Sequence, residues 1–364
     1  MRGADKHITD CLRAMAGCGP APAHACAACE EFLVRERLAP MAFLAAGGLP
    51  RTGDAARAYK SALGAQMVYQ QVFLDIEAAF AAHGVAAVPL KGLYLCEKIY
   101  PAPGARPMSD LDLLVPRAQF ADAARILRKL GFGCDLDFLE PRGLPSGATF
   151  RHAAKSVAVD LHFSLLNGQG IRGLLLTPEQ ARRLDELAMS SAAREPYLDR
   201  DIAALSRPVL LLSLMLHHYT HNFSGLLWFL DAILVSRAMA PQHWQEFESL
   251  IKESGLETAA GLWLRLAAVN FHCHESAFLP EGMQAVCRGA ERARPVFGAA
   301  VRRGRLSPMS ALALVPGPAR RASAVMRAAL PSRAYLEEIS HSPIHGPADY
   351  LKQLAVFHKR LLLR

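Results

Sequence analysis

Apolar positions repeat at three and four residues through Met67, Val68, Val72, Phe73, Ile76 and Phe80. That period predicts a long amphipathic helix from Asp54 to His83, opened by a cap at Thr52 or Asp54 and closed by Gly84. The pattern then changes abruptly. Val85-Ala86-Ala87-Val88-Pro89-Leu90 is a short continuous apolar run, which predicts the first strand of a sheet. A turn at Lys91-Gly92, a helix-like stretch from Leu93 to Tyr100 and a loop rich in Pro and Gly follow. Ser109-Asp110-Leu111-Asp112-Leu113-Leu114-Val115 alternates acid and apolar residues before running wholly apolar, predicting a second strand. Further on, the spacing predicts a helix over residues 117–131 and a hairpin of two strands, residues 150–155 and 156–163.

Both flanks of this stretch read as helical. Cys29 to Ala46 predicts one helix, stopped by Gly47-Gly48-Leu49-Pro50, behind a start rich in Ala, Gly and Pro that reads as poorly ordered. From Thr177 onward the reading is helical throughout. Helices start at Thr177-Pro178-Glu179 and at Ser206-Arg207-Pro208, and another runs from Gly225 to Ala238. A last one carries Tyr350, Leu351, Leu354, Phe357 and Leu361 on one face. The expected class is α+β. A small mixed β-sheet core over residues 51–175 is joined to an N-terminal helical segment, 1–50, and a large C-terminal helical region, 176–364.

The acids in the second strand carry the candidate chemistry. Residues two apart in a strand share a face, so Asp110 and Asp112 project together while Leu111 and Leu113 enter the core. Two adjacent carboxylates repel, and a divalent cation between them removes the penalty. Asp160 is a third acid, alone among the apolar residues of Val157-Ala158-Val159-Asp160-Leu161-His162-Phe163. Three carboxylates on neighbouring strands are what a two-metal phosphoryl- or nucleotidyl-transfer site requires. A lone Asp-x-Asp is more often a solvated strand end; the three together are harder to read that way.

Lys91-Gly92, Arg106, Asp110-x-Asp112 followed by Leu-Leu-Val, and Val159-Asp160-Leu161-His162 together resemble a bacterial family of uncharacterised nucleotidyltransferases. That family lies within the DNA polymerase β-like superfamily. Leu216-His217, Trp228 and Leu230-Asp231 are similar to its helical half, and the likeness covers residues 30 to 240. The resemblance implies a Mg²⁺-dependent enzyme that moves an NMP group from an NTP, such as ATP, to an acceptor hydroxyl or phosphate. By the same token Asp110, Asp112 and Asp160 are catalytic and hold two Mg²⁺ ions, while Lys91, Gly92, Arg106 and Ser109 bind the nucleotide. In the wider superfamily a Gly-Ser turn grips the triphosphate; Lys91-Gly92-Leu93 stands there in this chain, with no Ser. The acceptor stays open among a small molecule, a peptide and RNA. A toxin-like nucleotidyltransferase acting on tRNA or protein, and a non-catalytic nucleotide-binding scaffold, remain as alternatives.

Four polar residues are candidates for the acceptor side: His162, and His217, His221 and Asp231 within otherwise apolar helices. A buried acid needs a partner, and His217 or His221 is the expected one for Asp231. The helices from Ser206 to Ala238 are expected to cross the mouth of the sheet and bring at least one of these side chains to the acids.

Charge and cysteines add little more. Lys and Arg number 41 against 33 Asp and Glu, a balance of +8 that favours anionic partners. Ten Arg and one acid fall between Arg288 and Arg333, either a solvated surface or an anion-binding edge. No apolar run reaches the length of a membrane span and no signal segment opens the chain, so a cytoplasmic location is expected, with the eight cysteines as free thiols. Cys18, His24, Cys26 and Cys29 lack the paired spacing of a zinc finger, and buried small residues are the expected reading.

Overall fold

The computed structural model describes residues 2–20, 27–47, 53–134, 146–165, 175–221, 223–290, 312, 314–315, 317–330, 333, 336–337 and 343–362. Its centre is a five-stranded mixed sheet of β1 (Val88–Pro89), β2 (Leu111–Leu114), β3 (Phe132–Gly133), β4 (Gly147–His152) and β5 (Ala158–His162). The spatial order is β1-β2-β5-β4-β3; β2 and β5 run parallel and every other neighbouring pair is antiparallel. The first strand is shorter than the apolar run predicts. Only Val88 and Pro89 pair with β2, and a proline is tolerated there because β1 is an edge strand.

Each face of the sheet belongs to a different core. Leu111, Leu113, Val159 and Leu161 point to one side. There they pack with Phe73, Ile76 and Phe80 of α4 (Asp54–Ala82), Leu93 of α5 (Gly92–Lys98) and Phe120 and Leu127 of α6 (Phe120–Lys129). Val88, Leu90 and Leu114 point to the other side and join the core of the helical half. The acids and His162 share this second face, which is why Asp112 is buried although it is charged. At Gly147 a Cβ would collide with the backbone of Leu161 and His162, so glycine lets β4 close onto β5 beside the acids.

Three local expectations change. Residues 177–364 are not helical throughout: α7 (Pro178–Ser190) is followed by a hairpin, β6 (Ala193–Tyr197) and β7 (Arg200–Ala204). Ile202 and Ala204 are buried in strand alternation, and Tyr197 and Ile202 complete the core under the sheet; the hairpin's many charged residues mask this pattern. Cys29 to Ala46 is not one helix. It divides into α2 (Ala27–Arg35) and α3 (Ala39–Ala45), with Pro40 seated in the first turn of α3. Nor is the start of the chain loose, because Cys11, Leu12 and Met15 bury one side of α1 (Arg2–Met15) in the helical core.

The α2–α3 junction closes as a left-handed cap. Leu38 N donates to Leu33 O at 2.7 Å and Arg37 N to Val34 O at 3.0 Å, while Arg37 has φ 62°. That is the position where glycine is the usual residue, and an L side chain there costs about 1–2 kcal/mol.

The helical half is built on α8 (Arg207–Thr220), α9 (Leu227–Arg237), α10 (Pro241–Ser254), α11 (Glu257–Asn270) and α12 (Glu281–Ala290). Two further helices, α13 (Pro318–Ala329) and α14 (Pro347–Leu362), follow. Trp263 of α11 donates from Nε1 to Nδ1 of the fully buried His218 at 2.9 Å. Cys18 and Cys273 are joined by a disulfide across 255 residues, correcting the expectation of eight free thiols. It ties the segment after α1 to the turn after α11. Among the described residues no helix is long and apolar enough to cross a membrane.

Candidate active site

Register places the first two site residues side by side. Asp112 of β2 lies opposite Asp160 of β5 in the parallel ladder, and Leu114 lies opposite His162. Side chains two apart share a face, so Asp112, Asp160 and His162 converge on one patch. One ligand atom from each of the three lies within 4.8 Å of the others. Asp110, just ahead of β2, lines the same cavity but is not one of that tight set. Thr149, opposite Asp160 on β4, donates from Oγ1 to Asp160 Oδ1 at 2.6 Å and fixes that carboxylate.

Two side chains bear on Asp112. Lys91 Nζ is 2.9 Å from Asp112 Oδ1, and His162 Nε2 is 3.2 Å from the same oxygen. Burial alone would favour the neutral acid, but Lys91 and His162 outweigh it and hold the Asp112 carboxyl well below the usual range. Asp110 goes the other way. Burial and the neighbouring Asp112 charge raise it. The pair therefore shows the repulsion expected of adjacent acids, carried by one member.

The helical half closes the cavity. Lys91 Nζ also lies 3.4 and 3.5 Å from Nε2 and Nδ1 of His217 on α8. The His217 and His221 rings are 4.4 Å apart, and Trp228 on α9 stands against both, at 4.7 and 5.1 Å. Burial and the Lys91 ammonium hold His217 well below the ordinary imidazole value; the same two causes lower His221. Both rings are thus neutral bases beside an ammonium. The cavity measures ≈ 150 Å³, and its walls include Lys91, Asp110, Asp112, Asp160, His217, His221 and Trp228. The expected packing of α8 and α9 across the sheet mouth is what the fold contains.

Asp231 has a different partner from the one expected. It does not pair with His217 or His221. Arg106 donates from Nε to Asp231 Oδ1 at 2.8 Å and from Nη2 to Oδ2 at 2.7 Å, and Tyr100 adds its hydroxyl to Oδ1 at 2.7 Å. Asp231 is fully buried and is not among the residues lining the cavity; it holds Arg106 from behind. Burial disfavours the guanidinium charge, but Asp231 more than offsets it and keeps Arg106 protonated. The third nitrogen, Nη1, faces Pro107 O at 3.3 Å. Gly92 and the exposed Ser109 also line the cavity. A Cβ on Gly92 would sit 3.3 Å from Met108 Cε and in ordinary contact with Arg106 Nη1 at 3.6 Å, so Arg106 packs against the Lys91 turn.

Arg37 was invisible to motif reasoning and lines the cavity as well. It stands at the left-handed cap between α2 and α3, far from the acids in sequence. The only sequence signal for it was the conflict of arginine with a helix stop.

The donor set suits a divalent cation. Two carboxylates and an imidazole offer hard oxygen and borderline nitrogen ligands, and the buried His162 Nδ1 has no hydrogen-bond partner among the described residues. Zinc at Cys18, His24, Cys26 and Cys29 has no support among the described residues. Cys18 is bonded to Cys273, Cys29 is buried, and His24 and Cys26 lie outside the described residues. Most of the Arg-rich stretch from 288 to 333 also lies outside them.

Comparison with known protein families finds one described as an uncharacterised nucleotidyltransferase, matching residues 37–272. The match takes in the sheet, its acids, α8 and α9. No curated protein matches the chain.

Proposed function

The chain belongs to this uncharacterised nucleotidyltransferase family, and on that premise we propose that it transfers an NMP group from an NTP to an acceptor hydroxyl or phosphate with Mg²⁺. The observation that carries the reading is the convergence of Asp112, Asp160 and His162 under a cavity that Asp110 and Lys91 also line. Asp112 and Asp160 would hold the metal, with Asp110 and His162 as the flanking donors. A bound divalent ion supplies neutralisation of phosphate charge and lowers the pKa of a coordinated hydroxyl.

The remaining roles belong to the chain itself. Lys91, paired with Asp112 at 2.9 Å, would contribute its ammonium to phosphate oxygen if a divalent cation neutralised that carboxylate. Thr149 holds Asp160 in one orientation, which preserves a lone pair for the ion. His217 and His221 are uncharged at neutral pH, so each would accept a hydrogen bond from an acceptor hydroxyl, or donate one to it, rather than take its proton outright. Trp228 gives the cavity an apolar wall against which a flat ring would pack.

The test is a screen of a metabolite extract with each NTP and Mg²⁺, read by mass. The reading expects a product heavier by one NMP with matching pyrophosphate, absent in Asp112→Asn. Turnover of every NTP without any such product would count against it.

A further inference from the structure

The cavity's cations differ in whether they are free. Lys91 is paired with Asp112 at 2.9 Å, and both outer donors of the Arg106 fork are taken by Asp231. Arg37 has no side-chain hydrogen bond or ion pair among the described residues. Its guanidinium nonetheless senses Arg106, Asp110 and Asp231, so it faces the same interior they do.

The backbone makes this placement hard to read as incidental. Arg37 takes φ 62° at the position of the α2 cap where glycine is preferred, so it carries local strain for no structural gain. The turn is also anchored over the cavity. Glu36 accepts a hydrogen bond from Leu226 N at 3.4 Å, just ahead of α9, and Leu38 beside it is fully buried. The turn that carries Arg37 is thereby held at the cavity, while the exposed guanidinium makes no ion pair among the described residues.

We propose that Arg37 is the anion grip of this cavity, binding the outer end of a polyphosphate chain. Arginine suits the task, since its planar fork matches phosphate oxygens in pairs. The inference rests on the nucleotidyl-transfer reading only for the nucleoside; the polyphosphate contact is open to test without it.

The probe is sodium tripolyphosphate in magnesium buffer, titrated calorimetrically into the full chain and into Arg37→Gly, Arg37→Lys and, as a surface control, Arg125→Gln. Arg37→Gly relieves the cap, so its melting temperature should equal or exceed that of the parent chain. Its affinity for tripolyphosphate should fall by about ten- to a hundred-fold, the loss of one charge-assisted contact. Arg37→Lys should keep part of the affinity and Arg125→Gln all of it. Binding by Arg37→Gly within two-fold of the parent overturns the proposal, and so does a parent chain that binds no tripolyphosphate. NMP transfer that proceeds unchanged in Arg37→Gly also overturns it, while leaving the transfer reading intact. Tripolyphosphate binding lost in Arg37→Gly, in a chain that turns over no NTP, upholds the grip and sinks the transfer reading instead.

Discussion

Replacing Asp231 tests how the two halves are joined. Its carboxylate is fully buried and receives two donors of Arg106, at 2.8 and 2.7 Å, and the Tyr100 hydroxyl at 2.7 Å. Arg106 comes from the loop ahead of β2 and Asp231 from α9, so this pair links the acid strand to the helical half. Asp231→Asn keeps an acceptor for Tyr100 but leaves a buried guanidinium without its counter-charge. Asp231→Leu removes both carboxylate contacts of Arg106 and the acceptor of Tyr100. Breaking one side of a buried pair costs about 3–5 kcal/mol. With a urea slope of about 3 kcal/mol per molar, the unfolding midpoint should fall by about 1–1.7 M. The double variant Arg106→Met/Asp231→Leu should recover much of this, because an apolar pair of similar volume carries no stranded charge. Urea unfolding followed by circular dichroism measures all four chains. A loss below about 1 kcal/mol in Asp231→Leu, or no recovery in the double variant, would refute the reasoning.

Asp110→Asn should equal or exceed the parent in melting temperature while losing transfer, because burial and Asp112 already raise that carboxyl; a clear drop in melting temperature would contradict this. Burial lowers His218 to about 3, and Trp263 already donates to its Nδ1. The unfolded chain therefore takes up this proton first, and the stability contribution is full above pH ~6.5 and lost as pH falls, by about 2 kcal/mol at pH 5. His218→Phe should flatten that part of a stability-versus-pH curve, and an unchanged slope would sink the assignment. Non-reducing peptide mapping should recover Cys18 linked to Cys273. Cys18→Ser should then cost about 2–4 kcal/mol, and no linked peptide with no loss would contradict the crosslink.

How much the sequence disclosed follows from the range of each signal. The acid strand and its partner were readable because strand alternation is local: Asp112 and Asp160 each sit among apolar neighbours that fix their face. Their register was not readable, since it depends on pairing two strands across 48 residues of chain, and with it came the inclusion of His162 beside Asp112. The polar residues of α8 and α9 stood out for the same local reason, as charges and imidazoles amid leucines. Their partners did not. His217 and His221 lie close to Asp231 along the chain, yet Arg106 arrives from a loop 125 residues away. Arg37 shows the limit most plainly: its place in the cavity wall follows from a backbone angle and from packing between segments distant in the chain, neither of which a residue pattern encodes. The β6–β7 hairpin was hidden because its strands are five residues each and carry charged residues that interrupt the apolar alternation.

The most direct test of the central claim follows the label through the reaction. The full chain is incubated with Mg²⁺, a cell extract and NTPs labelled at either the α or the γ phosphate. Transfer of an NMP group predicts α label in an acceptor product, γ label in pyrophosphate, and neither when Asp112 or Asp160 is changed to Asn or the metal is chelated. Label from the γ position in the acceptor would make the chain a kinase, and α label transferred undiminished by Asp112→Asn would remove the acids from the chemistry; either result contradicts the account.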